Sequence, residues 1–119
     1  MNFFKKLLNK SKAPSKGASS EHALIITTKV PFESADLIYA VEDELIEAIS
    51  TNNAGEFDGH DIAVDQSHVV LYMYGPDADQ LLKVVEPILR RHKVTTGASC
   101  LRRYGSAKDP KSREVVVVI

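Results

Sequence analysis

A chain of 119 residues with 44% hydrophobic and 26% charged positions has the length of one domain and the balance of an ordinary globular protein, which excludes wholesale disorder. No apolar run approaches the ~20 residues that a membrane-spanning helix needs. The net charge of −1 hides an asymmetry: residues 1–20 carry five lysines and no acid, so residues 21–119 carry −6, and an acidic domain repels phosphate backbones, so no nucleic-acid partner is expected.

In chain order, the opening MNFFKKLLNK sets Phe3, Phe4, Leu7 and Leu8 on one side of a short helix and Lys5, Lys6 and Lys10 elsewhere. That pattern suits weak contact with an anionic membrane surface, while its apolar residues are too interrupted for a signal peptide. Ser11–Ser20 is rich in Ser, Lys, Gly and Pro and reads as a tether. Residues 1–20 are therefore expected to be a flexible basic tail, with 21–119 forming a single α+β domain. The lone cysteine, Cys100, excludes an internal disulfide, and with no export signal the expected compartment is the cytoplasm.

The domain opens with the β-branched run Ala23–Val30, bounded by Pro31. Ser34 suits an N-cap for a helix over Ala35–Ser50, where Ile38, Val41, Leu45, Ala48 and Ile49 make an apolar stripe. The other face presents Glu42, Asp43, Glu44 and Glu47, with no lysine near enough for i, i+4 pairing. Asn52, Asn53 and Gly55 are suited to stop this helix.

Asp58-Gly59 is a dipeptide for a tight turn or a bulge early in a second strand, in which His60, Ile62 and Val64 alternate with Asp61, Ala63 and Asp65. Gln66 and Ser67 fit a hairpin connection to the strand His68–Tyr74, apolar on both sides and so central. Gly75 as a cap, Pro76 at the first helical position and the acids Asp77 and Asp79 predict a helix from Pro76 to about His92. Its stripe is Leu81, Leu82, Val85, Ile88 and Leu89, and Pro87 should bend it. Strands over Ala98–Tyr104 and Val115–Ile119 flank the polar loop Gly105–Arg113. The order β-α-β-β-α-β plus a terminal strand predicts a ferredoxin-like two-layer sandwich with an antiparallel sheet and an extra C-terminal edge strand.

Candidate chemistry concentrates where strands two and three meet. His60, Asp61, Asp65 and His68, with Asp58 nearby, are ligand types for zinc, manganese or iron, and His60 or His68 with Asp61 is a candidate acid–base pair. Whether the two histidines meet depends on a one-residue register. No metal motif, Gly-rich phosphate loop or complete catalytic motif is present, so no cofactor is expected. Cys100 reads as a small buried residue despite Arg102 and Arg103 beside it. Tyr72, Tyr74 and Tyr104 are placed as an RNA-binding sheet would place its aromatics, without the basic-glycine-aromatic strand such sheets carry.

At GEFDGHDIA and LYMYGPDADQL, followed by VVEPILRRH and LRRYG, the chain resembles a group of small bacterial single-domain proteins of unassigned function, over about residues 55–119. The resemblance supports the domain as a unit and implies no activity. Acidic stand-alone domains of this size are also similar in class to immunity proteins that neutralise bacterial toxins. The expected function is a non-catalytic interaction domain, possessing an immunity-type partner in its concrete form. It would bind through Glu42, Asp43, Glu44 and Glu47, or through a rim of Asp58, His60, Asp61, Lys108, Lys111 and Arg113. A homodimer through a helix-free sheet face is a further expectation, and the alternative is a small metal-binding protein or enzyme centred on His60 and His68.

Overall fold

The computed structural model describes residues 21–29, 35–63 and 67–119. The basic tail, Val30, the proposed cap Ser34 and the candidate ligand Asp65 lie outside them. The chain runs β1 (His22–Lys29), α1 (Ala35–Thr51), β2 (Glu56–Ile62), β3 (His68–Gly75), α2 (Ala78–Arg91), β4 (Ser99–Arg103) and β5 (Glu114–Val118), with a 3-10 turn at Lys93–Thr95. Five strands form one antiparallel sheet in the order β2-β3-β1-β4-β5. This is a two-layer α+β architecture.

Alternation along the strands decides which face is covered. Leu24 and Ile26 on β1, Leu71 and Met73 on β3 and Cys100 on β4 are fully buried, and they meet Val41, Leu45 and Ile49 from α1 and Leu81, Val85 and Leu89 from α2. Both helices thus lie on one face. Helix α1 packs on α2 and β2, while α2 packs on β1, β3 and β4. Burial of one large aliphatic side chain contributes about 2 kcal/mol, so this single cluster is the main source of stability.

The helix ends follow from local chemistry. Helix α1 stops where Asn53 takes a positive φ of 50° and Gly55 a φ of 146°. A side chain on Gly55 would collide with the Tyr74 carbonyl, and one on Gly75 with that of Ala54, so these two glycines let the exit of α1 pass against the end of β3. The start of α2 differs from the expected one. Gly75 completes β3 and Pro76 precedes the helix; Asp77 is the cap, its Oδ1 accepting from the amides of Asp79 at 2.9 Å and Gln80 at 3.3 Å. A carboxylate satisfies two orphan amides at once, which a glycine cap does not. The helix runs through Pro87 without a break and ends at Arg91.

Two hydroxyl-to-carbonyl bonds, one local and one long-range, secure the chain after α2. Buried Thr95 donates its hydroxyl to the Leu89 carbonyl at 2.7 Å, and Thr28 of β1 donates to the Val94 carbonyl at 2.8 Å. The 105–113 loop is folded rather than slack, with Ser112 Oγ donating to the Ser106 carbonyl at 2.8 Å and Asp109 Oδ1 accepting from the Lys111 amide at 2.9 Å.

Candidate interaction surface

The bulge expected at Asp58-Gly59 is present. The β2–β3 register shifts between Phe57, opposite Met73, and His60, opposite Leu71, which leaves Asp58 and Gly59 together opposite Tyr72. Gly59 adopts a φ of 100°, a conformation that favours glycine. The shift fixes the aim of every later side chain in β2. His60 takes the side of Leu71 and points into the helix layer, where Nδ1 is hydrogen-bonded to the carboxylate of Glu42 on α1, with the Tyr39 ring centred 5.9 Å away. Asp61 takes the opposite face, with Val70.

The same parity separates the two histidines. His68 lies three residues before Leu71 on β3, so it belongs to the helix-free face and His60 to the helix face. They do not converge, and among the described residues no three His, Cys, Asp or Glu side chains gather as a metal-holding group. Of the two candidate acid–base pairs, His60 with Asp61 is split, because adjacent strand residues point apart, while His68 and Asp61 share the helix-free face.

Nor is the acidic face of α1 a single surface. Asp43 and Glu47 are exposed, but Glu42 is turned inward onto His60. Glu44 binds Arg91 at 2.5 Å and His92 Nε2 at 2.8 Å, and the Arg91 hydrogen bond holds its carboxyl below the usual range. Its cations come from the end of α2, 47 residues along the chain, beyond the reach of an i, i+4 argument. The rim is also divided. Asp58 is buried in β2, whereas Lys108 and Lys111 are exposed on the loop before β5, with β3, β1 and β4 between.

At that end, Tyr104 joins a cluster that residue spacing does not announce. Its hydroxyl donates to Asp79 Oδ1 at 2.6 Å, where Arg102 also donates at 2.9 Å. The Arg113 guanidinium lies 4.6 Å from the Tyr104 ring centroid, and the His22 ring meets it edge-on at 5.5 Å. The phenol holds the Asp79 carboxyl low, and Asp79 in turn raises Tyr104. Tyr104 is thereby committed to the helix side, while Tyr72 and Tyr74 belong to the other face; the three tyrosines do not form one stacking platform. Cys100 is fully buried, which pushes its thiol up to about 11 and away from nucleophilic use.

The helix-free face runs across the strands of the sheet. Register places Tyr72, Ile25, Leu101 and Val116 in one row across β3, β1, β4 and β5. On one side runs Asp61, Val70, Thr27, Ser99 and Val118; on the other, Glu56, Tyr74, Ala23, Arg103 and Glu114. An apolar centre is thus bordered by acids. Burial, then the hydrogen bond to Asp61, pushes the Tyr72 phenol up to about 12; burial, then the charge of Asp58, raises Tyr74. A shallow groove of about 410 Å³ lies elsewhere, along Asp79, Leu82, Lys83, Glu86, Pro87 and Arg90 of α2.

Among the described residues no helix is long and apolar enough to cross a membrane. No protein-family model, curated protein or solved structure matches this chain.

Proposed function

We propose that this chain is a non-catalytic interaction domain that receives a protein partner on its helix-free sheet face. The observation that carries this reading is the row Tyr72, Ile25, Leu101 and Val116, apolar from β3 to β5 and flanked by a discontinuous charged border. Contiguous apolar surface rimmed by polar groups is what protein interfaces present, with tyrosine favoured at their centres. Glu56, Asp61 and Glu114 outnumber Arg103 along the border, so the matching partner has an apolar ridge with basic flanks. A bacterial toxin bound in the immunity manner is the concrete form of this proposal, and a second copy of the chain is the self-association form.

The fold reading that accompanies it is a ferredoxin-like βαββαβ sandwich. The order β2-β3-β1-β4, with both helices on one face, supports that reading, and β5 then extends the sheet beside β4. Such a scaffold has one covered and one uncovered face by construction.

The test compares quantitative capture from native cytosol by the wild-type chain and by Val70→Asp and Tyr72→Asp, with Lys83→Glu on the helix layer as control. Loss of one stoichiometric protein in the two face variants alone, with circular dichroism unchanged, is the expected result. Equal recovery by all four chains, or no protein recovered by the wild type at all, overturns the reading.

A further inference from the structure

We propose that two copies of this chain pair antiparallel through β5, in a register centred on Val116, joining their sheets into one of ten strands. The two edges of the sheet are built differently. At the β2 edge the Asp58-Gly59 bulge breaks the ladder, and Glu56 and Asp61 place charge along it. Bulges and charges are the devices by which natural sheets keep an edge from pairing. The β5 edge has no bulge, and its one charge, Glu114, stands at the start of the strand. Its sequence is Glu-Val-Val-Val-Val, its pairing with β4 is regular over all five residues, and Val116 and Val118 are 56% and 66% exposed.

Backbone geometry fixes the register. The Tyr104 amide donates to the Arg113 carbonyl, and the Ile119 amide to that of Ala98, so Arg113 and Ile119 turn their polar groups towards β4. Alternation assigns the same direction to Val115 and Val117 and turns Glu114, Val116 and Val118 outward. A two-fold axis at Val116 sets Val116 against itself and Glu114 against Val118 of the second copy. Every outward amide and carbonyl of β5 then has a partner, because each such pair exchanges both of its N–H···O bonds. The two Glu114 carboxylates oppose valines rather than each other, which avoids like-charge contact.

The choice of occupant follows from this symmetry. An isologous contact closes after two copies, and the blunted β2 edge offers no complementary strand from which a fibre would grow. On the helix-free side, the row Tyr72, Ile25, Leu101 and Val116 continues directly into Val116, Leu101, Ile25 and Tyr72 of the second copy. A five-residue strand pair buries less than the ~1,200 Å² of a tight complex, so the dimer is concentration-dependent. The proposal stands apart from the partner-binding reading, since it uses the strand edge and not the face.

Sedimentation of the full chain across the micromolar to millimolar range, with amide exchange measured at both ends of that range, tests it. The expected result is a reversible dimer in which the Val116 and Val118 amides become protected as concentration rises, while those of Val115 and Val117 are protected throughout. Val116→Pro removes an amide that β4 does not use and should leave a folded monomer, whereas Tyr72→Asp should still dimerise. A wild-type monomer at every concentration overturns the proposal. So does a dimer whose Val116 and Val118 amides stay in fast exchange, or one that Tyr72→Asp abolishes and Val116→Pro spares.

Discussion

Glu42 of α1 and His60 of β2 are hydrogen-bonded to each other in the interior of the protein, their side chains only 4% and 9% exposed. The bulge at Asp58-Gly59 turns His60 towards the helix, and one turn of α1 carries Glu42 to meet it. This pair ties the edge strand to the helix layer at the position where the ladder is interrupted.

Removing one partner of such a pair leaves the other polar group buried, a change that costs about 3 kcal/mol or more. Glu42→Ala and His60→Ala are each expected to lower stability by that amount, read as a lower urea midpoint with an unchanged slope. Glu42→Leu combined with His60→Leu should restore part of the loss, because both polar groups of the pair leave the interior together. A double variant as unstable as the sum of the two single ones would show that the pair is not coupled.

Acid stability depends on Glu44 and Asp79. Both carboxyls are held below their usual range, Glu44 first by its hydrogen bond from Arg91 and Asp79 first by the Tyr104 phenol. A carboxyl with a lower pKa in the folded than in the unfolded chain stabilises the fold above its unfolded value, and that contribution is lost as pH falls through the folded one. Wild-type stability is therefore expected to decline below about pH 4, the ordinary carboxylate range. Over the same interval Glu44→Gln with Asp79→Asn should lose less, as measured by urea midpoints at a series of pH values.

Tyr72 sets the alkaline side. With the phenol pushed up to about 12, its protonated form is the one the fold prefers. Its stabilisation is intact below the ordinary phenol value of about 10 and is lost as pH rises through 12. Tyrosinate absorbance should show a late component that shrinks in Tyr72→Phe. In Asp61→Asn that component should move to lower pH without reaching the ordinary value, since burial, the larger cause, remains. A late component unaffected by Tyr72→Phe would assign it to another tyrosine.

Periodicity located both helices because each buries a continuous face, and the stripes Ile38, Val41, Leu45, Ile49 and Leu81, Leu82, Val85, Ile88, Leu89 occupy the core as their spacing predicts, whereas β5 was legible only as a β-branched run, since most of it is exposed. The bulge was legible because Asp-Gly in a strand has few other conformations. What spacing cannot supply is the pairing of distant groups. Glu42 and Glu44 are indistinguishable as helix-face acids until His60 and Arg91 arrive from elsewhere in the chain. The His60–His68 relation depended on a register that the bulge shifts by one residue, and that shift alone separates them. Cap choice at α2 failed for a local reason: Pro76 and Asp77 both suit a helix start, and the side-chain bonds of Asp77 decide between them.

The start of α2 also uses His22, whose Nδ1 accepts from the Ala78 amide at 3.0 Å across 56 residues of sequence. That bond requires a bare Nδ1, so the imidazole carries its proton on Nε2. First-turn amides have no partner within their own helix, and Asp77 already serves those of Asp79 and Gln80, which leaves His22 as the acceptor for Ala78. The same ring packs on Tyr104, so one side chain joins the first strand, the second helix and the segment after β4. His22→Ala is expected to cost about 1 kcal/mol and to accelerate exchange of the Ala78 amide while those of Asp79 and Gln80 stay slow. His22→Asn, which returns an acceptor to this position, should recover part of the protection. Unchanged Ala78 exchange in His22→Ala would show that water serves that amide equally well.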